Sequence, residues 1–122
     1  MKFEEYIDDL SKRVTADLPT REINEMLYSE FTAAKADDII SQKASKVLED
    51  TFKKLDKTSQ YYIYSRITPN YLKSLDNAII ACKHDYGDYN PLFLKFNVEK
   101  TVCTSIKEVY ENKNTKSNGR SL

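Results

Sequence analysis

The sequence predicts an all-α fold: a compact bundle of five to six helices followed by a disordered C-terminal tail. Three observations carry this. Between Met1 and Asn118 the chain has one glycine, Gly87, whereas strand-rich folds spend many glycines on turns. Three prolines, Pro19, Pro69 and Pro91, cut the chain, and proline interrupts a helix or opens its first turn. Between them, apolar residues recur at three- and four-residue steps, the period of one helical stripe.

The first helix carries Phe3, Tyr6, Ile7, Leu10 and Val14 on one stripe, with Asp8, Asp9, Lys12 and Arg13 mainly off it. Asp17-Leu18-Pro19-Thr20 breaks the pattern, and either Asp17 or Thr20 can cap the next helix. That second helix is expected from about Arg21 to Ala36, with Ile23, Leu27, Phe31 and Ala34 inward. A break or kink is expected at Lys35-Ala36-Asp37-Asp38. The apolar phase then resumes through Ile40, Ala44, Val47, Leu48, Thr51, Phe52 and Leu55, ending at Asp56-Lys57-Thr58-Ser59.

Residues 60–67, Gln-Tyr-Tyr-Ile-Tyr-Ser-Arg-Ile, alternate like a strand and are rich in strand-favouring residues. A lone strand would leave its backbone groups unpaired, so this stretch is read as a short helix. Thr68-Pro69 starts the next helix, a cap followed by proline in the first turn. Its face is Tyr71, Leu72, Leu75, Ala78, Ile79, Cys82 and Tyr86, and Gly87 is placed to end it. Asn90-Pro91 repeats the starting device. The last helix has Leu94, Val98, Val102, Ile106 and Val109 on one face and Leu92, Phe96, Cys103 and Tyr110 on a neighbouring one. So much apolar surface marks a central helix or one that meets a partner. From Asn112 the chain is polar and basic with no apolar period. The domain is therefore drawn over 1–111 and a flexible tail over 112–122.

Nineteen basic residues balance nineteen acidic ones, so no global field gathers nucleic acid. Aromatics at 11% argue against disorder of the whole chain. Charge begins at once in Lys2, Glu4 and Glu5, and no run approaches the roughly 20 apolar residues of a membrane span. A cytoplasmic protein is expected. Cys82 and Cys103 read as small buried hydrophobes in a reducing compartment.

The chemistry-bearing residues do not converge. His84, the only histidine, forms Cys-x-His with Cys82, and Asp85 and Asp88 come after it. A structural zinc site wants four ligands, usually in two close pairs, and the second pair is missing. Two residues apart on a helix, Cys82 and His84 point about 160° away from each other, too far to act as nucleophile and base. No phosphate loop, dinucleotide fingerprint or hydrolase motif is present. No enzymatic activity, metal or cofactor is expected.

Two surfaces remain. On a helix continuous to residue 57, Lys43, Lys46, Lys53 and Lys57 fall within about 80° of one another, flanked by Lys54. With tail residues Lys113, Lys116 and Arg120 they read as a phosphate-contacting ridge. The plainer reading is a solvated helix face, favoured by Asp50 among the lysines and by the zero net charge. The second surface is tyrosine. The chain has nine tyrosines and no tryptophan; Tyr61, Tyr62 and Tyr64 cluster, and Tyr86 and Tyr89 flank Gly87. Tyrosine is stiff, amphipathic and enriched at interface hot spots. Three within four positions cannot all face inward from one helix, so at least one is exposed or meets a partner.

The stretch Val47-Leu48-Glu49-Asp50-Thr51-Phe52-Lys53-Lys54-Leu55-Asp56-Lys57, followed by Ile63-Tyr64-Ser65-Arg66-Ile67, resembles the small bacteriocin-immunity proteins. The likeness covers about a fifth of the chain and lies in its helical pattern. It implies a cytosolic antiparallel four-helix bundle with a variable C-terminal end. The small size and the Lys, Asn and Tyr content also look similar to accessory proteins of phages and mobile elements. The expected function is thus binding of a protein partner, as a regulator, inhibitor, immunity factor or assembly accessory, through Tyr61, Tyr62, Tyr64, Tyr86 and Tyr89. The alternative is a nucleic-acid-binding accessory that uses Lys43, Lys46, Lys53, Lys54 and Lys57. Surplus apolar surface could also be buried in a homodimer.

Overall fold

In the computed structural model one long helix near the C-terminus, α6 (Pro91–Gly119), is the axis on which the others pack. The structure describes the backbone of residues 2–85 and 90–119, and the side chains of 2–84 and 90–112. Before α6 come α1 (Phe3–Thr15), α2 (Thr20–Tyr28), α3 (Ala33–Asp50), a 3-10 turn (Phe52–Lys54), α4 (Lys57–Arg66) and α5 (Pro69–Asp85). Among the described residues there are six α-helices and no strand, so 60–67 is helix, as expected.

The core follows from three stripes. Along α6, Leu94, Val98, Val102 and Ile106 recur every fourth residue and are buried, joined by Phe93 and Cys103. Along α3, Ala36, Ile40, Ala44 and Leu48 do the same; the two alanines let neighbouring backbone approach closely. From α1, Phe3, Ile7, Leu10 and Val14 complete the contact. α6 packs on α5, α1, α3, α2 and α4, and is thereby the central helix its two apolar faces predict. Phe52, fully buried, closes the end of α3.

The α2–α3 boundary falls six residues earlier than expected. α2 stops at Tyr28, and the helix has resumed by Ala33. Side-chain oxygens cause the break. Thr32 Oγ1 donates to the Met26 carbonyl at 2.7 Å, satisfying a group at the end of α2. Ser29 Oγ accepts from the Phe31 amide. Such local bonds compete with a continuing helix. Phe31, expected inward, therefore sits in the connection and is 91% exposed; Ala34 is exposed too. Residues 35–38, where the break was expected, lie inside α3.

Other boundaries also differ. No side chain caps α2: Pro19 holds the cap position and Thr20 is already helical. Asp17 instead forms an ion pair with Lys43 at 3.0 Å, tying the α1–α2 connection to α3. α3 ends at Asp50, where Thr51 Oγ1 donates to the Val47 carbonyl at 2.7 Å. Lys53 and Lys54 then lie in the 3-10 turn and Lys57 opens α4. The expected lysine ridge does not share one continuous helix.

Thr68 and Asn90 behave as expected. Thr68 Oγ1 accepts from the Tyr71 amide at 3.1 Å, and Asn90 Oδ1 accepts from the Leu92 amide at 3.0 Å. α5 ends at Asp85, while the expected helix stop at Gly87 lies outside the described residues. The side chains of the expected tail lie outside them from Lys113 onward, although the α6 backbone is helical to Gly119.

Candidate functional site

α4 is built to carry aromatic side chains outward. Asp56 starts it by accepting from the Ser59 amide at 3.1 Å. Hydrogen bonds from the Ser59 side chain and backbone hold the Asp56 carboxyl below its usual range. Within the helix only Gln60 and Ile63 are buried. Gln60 is accommodated because its Nε2 donates to the Phe52 carbonyl at 3.0 Å; an unpaired amide there would cost about 1–3 kcal/mol. With both inward positions taken, the tyrosines of α4 lie at its edge or outside.

Tyr61 is 59% exposed. Tyr62 is half-buried, with the Arg66 guanidinium 4.9 Å from its ring centroid. Tyr64 lies flat on Tyr110 of α6, the ring centroids 4.2 Å apart and the planes 20° from parallel. Its hydroxyl donates to Glu111 Oε2 at 2.7 Å. That bond to an acceptor raises the Tyr64 pKa, with smaller contributions from burial and nearby charge. Lys107 Nζ sits 5.2 Å from the Tyr64 centroid and donates to the Ile67 carbonyl at 3.4 Å. The result is an aromatic face whose rings are held by stacking, cation–π contact and a charge-assisted hydrogen bond.

Tyr86 and Tyr89 lie outside the described residues. Asn90, the next residue that is described, opens α6 roughly 30 Å from Tyr110 by helical rise. Asn90 and the α4 face are thus well separated along α6. Arg66, Lys107, Tyr110 and Glu111 are the site residues that sequence reasoning missed. Arg66 had a signal, its four-residue spacing from Tyr62. The other three are more than 40 positions from the α4 tyrosines and are brought there by the α4–α6 packing.

The lysines are dispersed. Lys43 is half-buried on Asp17, Lys53 pairs with Glu49, and Lys54 lies 3.9 Å from Asp50. Lys46 and Lys57 are exposed. Cys82 and Cys103 are both free and buried. Burial, with the charge of Glu99 adding to it, pushes the Cys103 thiol up to about 12. His84 is exposed at the end of α5. Among the described residues no three His, Cys, Asp or Glu side chains are grouped to hold a metal, and no helix is long and apolar enough to cross a membrane.

The chain matches no family model, no curated protein and no solved structure. The likeness of 47–67 to the bacteriocin-immunity proteins rests on helical pattern alone, and this bundle has six described helices, not four.

Proposed function

We propose that the protein acts by binding another protein, without enzymatic chemistry, and that the α4 face is its contact surface. The observation that carries this is the held aromatic cluster at the surface: Tyr61 exposed, Tyr62 half-buried under Arg66, and Tyr64 fixed on Tyr110 and Glu111. Tyrosine and arginine dominate interface hot spots, and rings already ordered lose little freedom on binding. The core uses neither Tyr61 nor Arg66, so their cost to the fold is offset by nothing inside it.

The test is affinity capture from the source cell with the wild-type chain and with Tyr61→Ala, Tyr62→Ala and Arg66→Ala. Loss of a hot-spot residue costs about 2 kcal/mol or more, roughly 30-fold in affinity. A partner bound equally by all three variants rules this face out. The nucleic-acid alternative has weaker support, since Lys43, Lys53 and Lys54 each have an acidic partner. Binding of single-stranded DNA or RNA that falls steeply with salt would restore it.

A further inference from the structure

Charge is unevenly spread along the chain, and the gap falls on α4. Of the nineteen Asp and Glu residues none lies between Lys57 and Leu75, a stretch that carries Lys57, Arg66 and Lys73. Helical phase then sorts α4 into sides. Gln60 and Ile63 are buried, as is Ile67 just after the helix. The opposite side is Thr58, Tyr61, Tyr62 and Ser65. Lys57 and Arg66 stand at its two edges and at its two ends, about 13 Å apart along the axis. Both are exposed, and neither has an ion-pair partner among the described residues.

That side of α4 offers donors. Lysine and arginine can only donate, and the four residues between them all carry hydroxyls. Ser65 Oγ is used, donating to the Tyr62 carbonyl at 3.0 Å. The Thr58 and Tyr61 hydroxyls have no partner among the described residues. The Arg66 guanidinium rests over the Tyr62 ring, which leaves its planar fork ordered for a two-oxygen acceptor.

The acids at the margins are already engaged. Asp56 is turned to the start of the helix, accepting from the Ser59 amide. Glu111 accepts from the Tyr64 hydroxyl and lies 3.9 Å from Lys107. Glu108, also exposed, is one residue past Lys107 and so turned about 100° from it. Two separate cations do not track a phosphate backbone, which takes a row of them. Taking the α4 face as the contact surface, we infer that its protein partner presents an acidic segment there. Its carboxylates meet Lys57 and Arg66, and acceptor groups between them meet the Thr58 and Tyr61 hydroxyls.

The test is an amide NMR titration of the full chain at low salt with a glutamate dodecapeptide, beside a lysine dodecapeptide and an oligothymidylate of equal length. The glutamate peptide should shift amides of residues 57–66, and the two controls should not. Lys57→Gln/Arg66→Gln should weaken it about fivefold, the scale of two exposed ion pairs. Lys35→Gln, at an exposed lysine of α3, should not. The proposal fails if the shifts are confined to residues beyond 112, if either control matches the glutamate peptide, or if the double variant binds like the wild type. A captured protein lost by Tyr61→Ala but held in full by Lys57→Gln/Arg66→Gln would keep α4 as the contact surface and overturn its acidic partner.

Discussion

The two ends of α6 are held by different chemistry. At its start the contacts are polar and largely enclosed. Asn24 Nδ2 of α2 donates to the Asn90 carbonyl at 3.2 Å, and the Asn90 amide donates to the Tyr28 hydroxyl at 3.0 Å. The Tyr28 ring lies 4.3 Å from Phe93, which is buried. Toward its other end the contacts are aromatic and half-exposed: Tyr64 on Tyr110, its hydroxyl on the exposed Glu111, Lys107 beside the ring. The groups these two bonds pair would be expensive to leave unpaired, so the bonds hold the first end, although Asn24 Oδ1 and Asn90 Nδ2 beside them have no partner. Exposed pairs contribute little to stability. The second end can therefore change partners without unfolding the protein, as a contact surface must.

Substitutions that strike both ends sharpen this contrast. The largest expected effect is at the enclosed end: Phe93→Ala should cost about 3–5 kcal/mol in urea unfolding, the range for deleting a buried aromatic ring. Asn24→Ala comes next, at about 1–3 kcal/mol, since it removes a donor from a carbonyl in a poorly hydrated place. At the more open end Tyr110→Ala should cost about 2 kcal/mol, an aromatic pair of about 1 kcal/mol plus the burial of a half-covered ring. If Tyr110→Ala proves as damaging as Phe93→Ala, the contrast is false.

The smallest effect is Tyr64→Phe, and pH isolates it. Donation to Glu111 raises the Tyr64 pKa in the folded state. Its contribution is thus complete below the ordinary tyrosine value of about 10 and is lost as pH rises through the higher folded value. The stability difference between wild type and Tyr64→Phe should shrink with alkaline pH. Cys103 supplies an independent check on the core. Buried, with its thiol pushed up to about 12, it should resist iodoacetamide at pH 8 until the protein is unfolded. Rapid alkylation of the native chain at Cys103 would mean the α5–α6 seam opens.

The fold was largely legible because long stripes and two cap-proline pairs speak locally. α1, α5 and α6 are each written in a period of three to four residues, with Thr68-Pro69 and Asn90-Pro91 at two starts. The α2–α3 boundary was not legible from apolar spacing, because Phe31 and Ala34 keep the helical phase across the break. The signal lay in Ser29 and Thr32, whose hydroxyls satisfy backbone groups in the connection. The lysine ridge was misplaced for the same reason, with Thr51 ending α3 before Lys53. Of the candidate face, the α4 tyrosines could be read as surplus to any one inward stripe. Their partners Tyr110 and Glu111 could not, since only tertiary packing brings together residues 46 and 47 positions apart.

Phe31 offers the direct rival to the α4 face, as the most exposed large apolar side chain among the described residues. The deciding measurement is the equilibrium affinity of a captured partner for Tyr61→Ala/Tyr62→Ala and, separately, for Phe31→Ala, each checked for an unchanged thermal midpoint. The α4 account predicts a loss of at least about 30-fold for the tyrosine pair, as a hot spot of about 2 kcal/mol or more requires, and none for Phe31→Ala. Full affinity in the tyrosine variant, with the loss at Phe31→Ala instead, would contradict it.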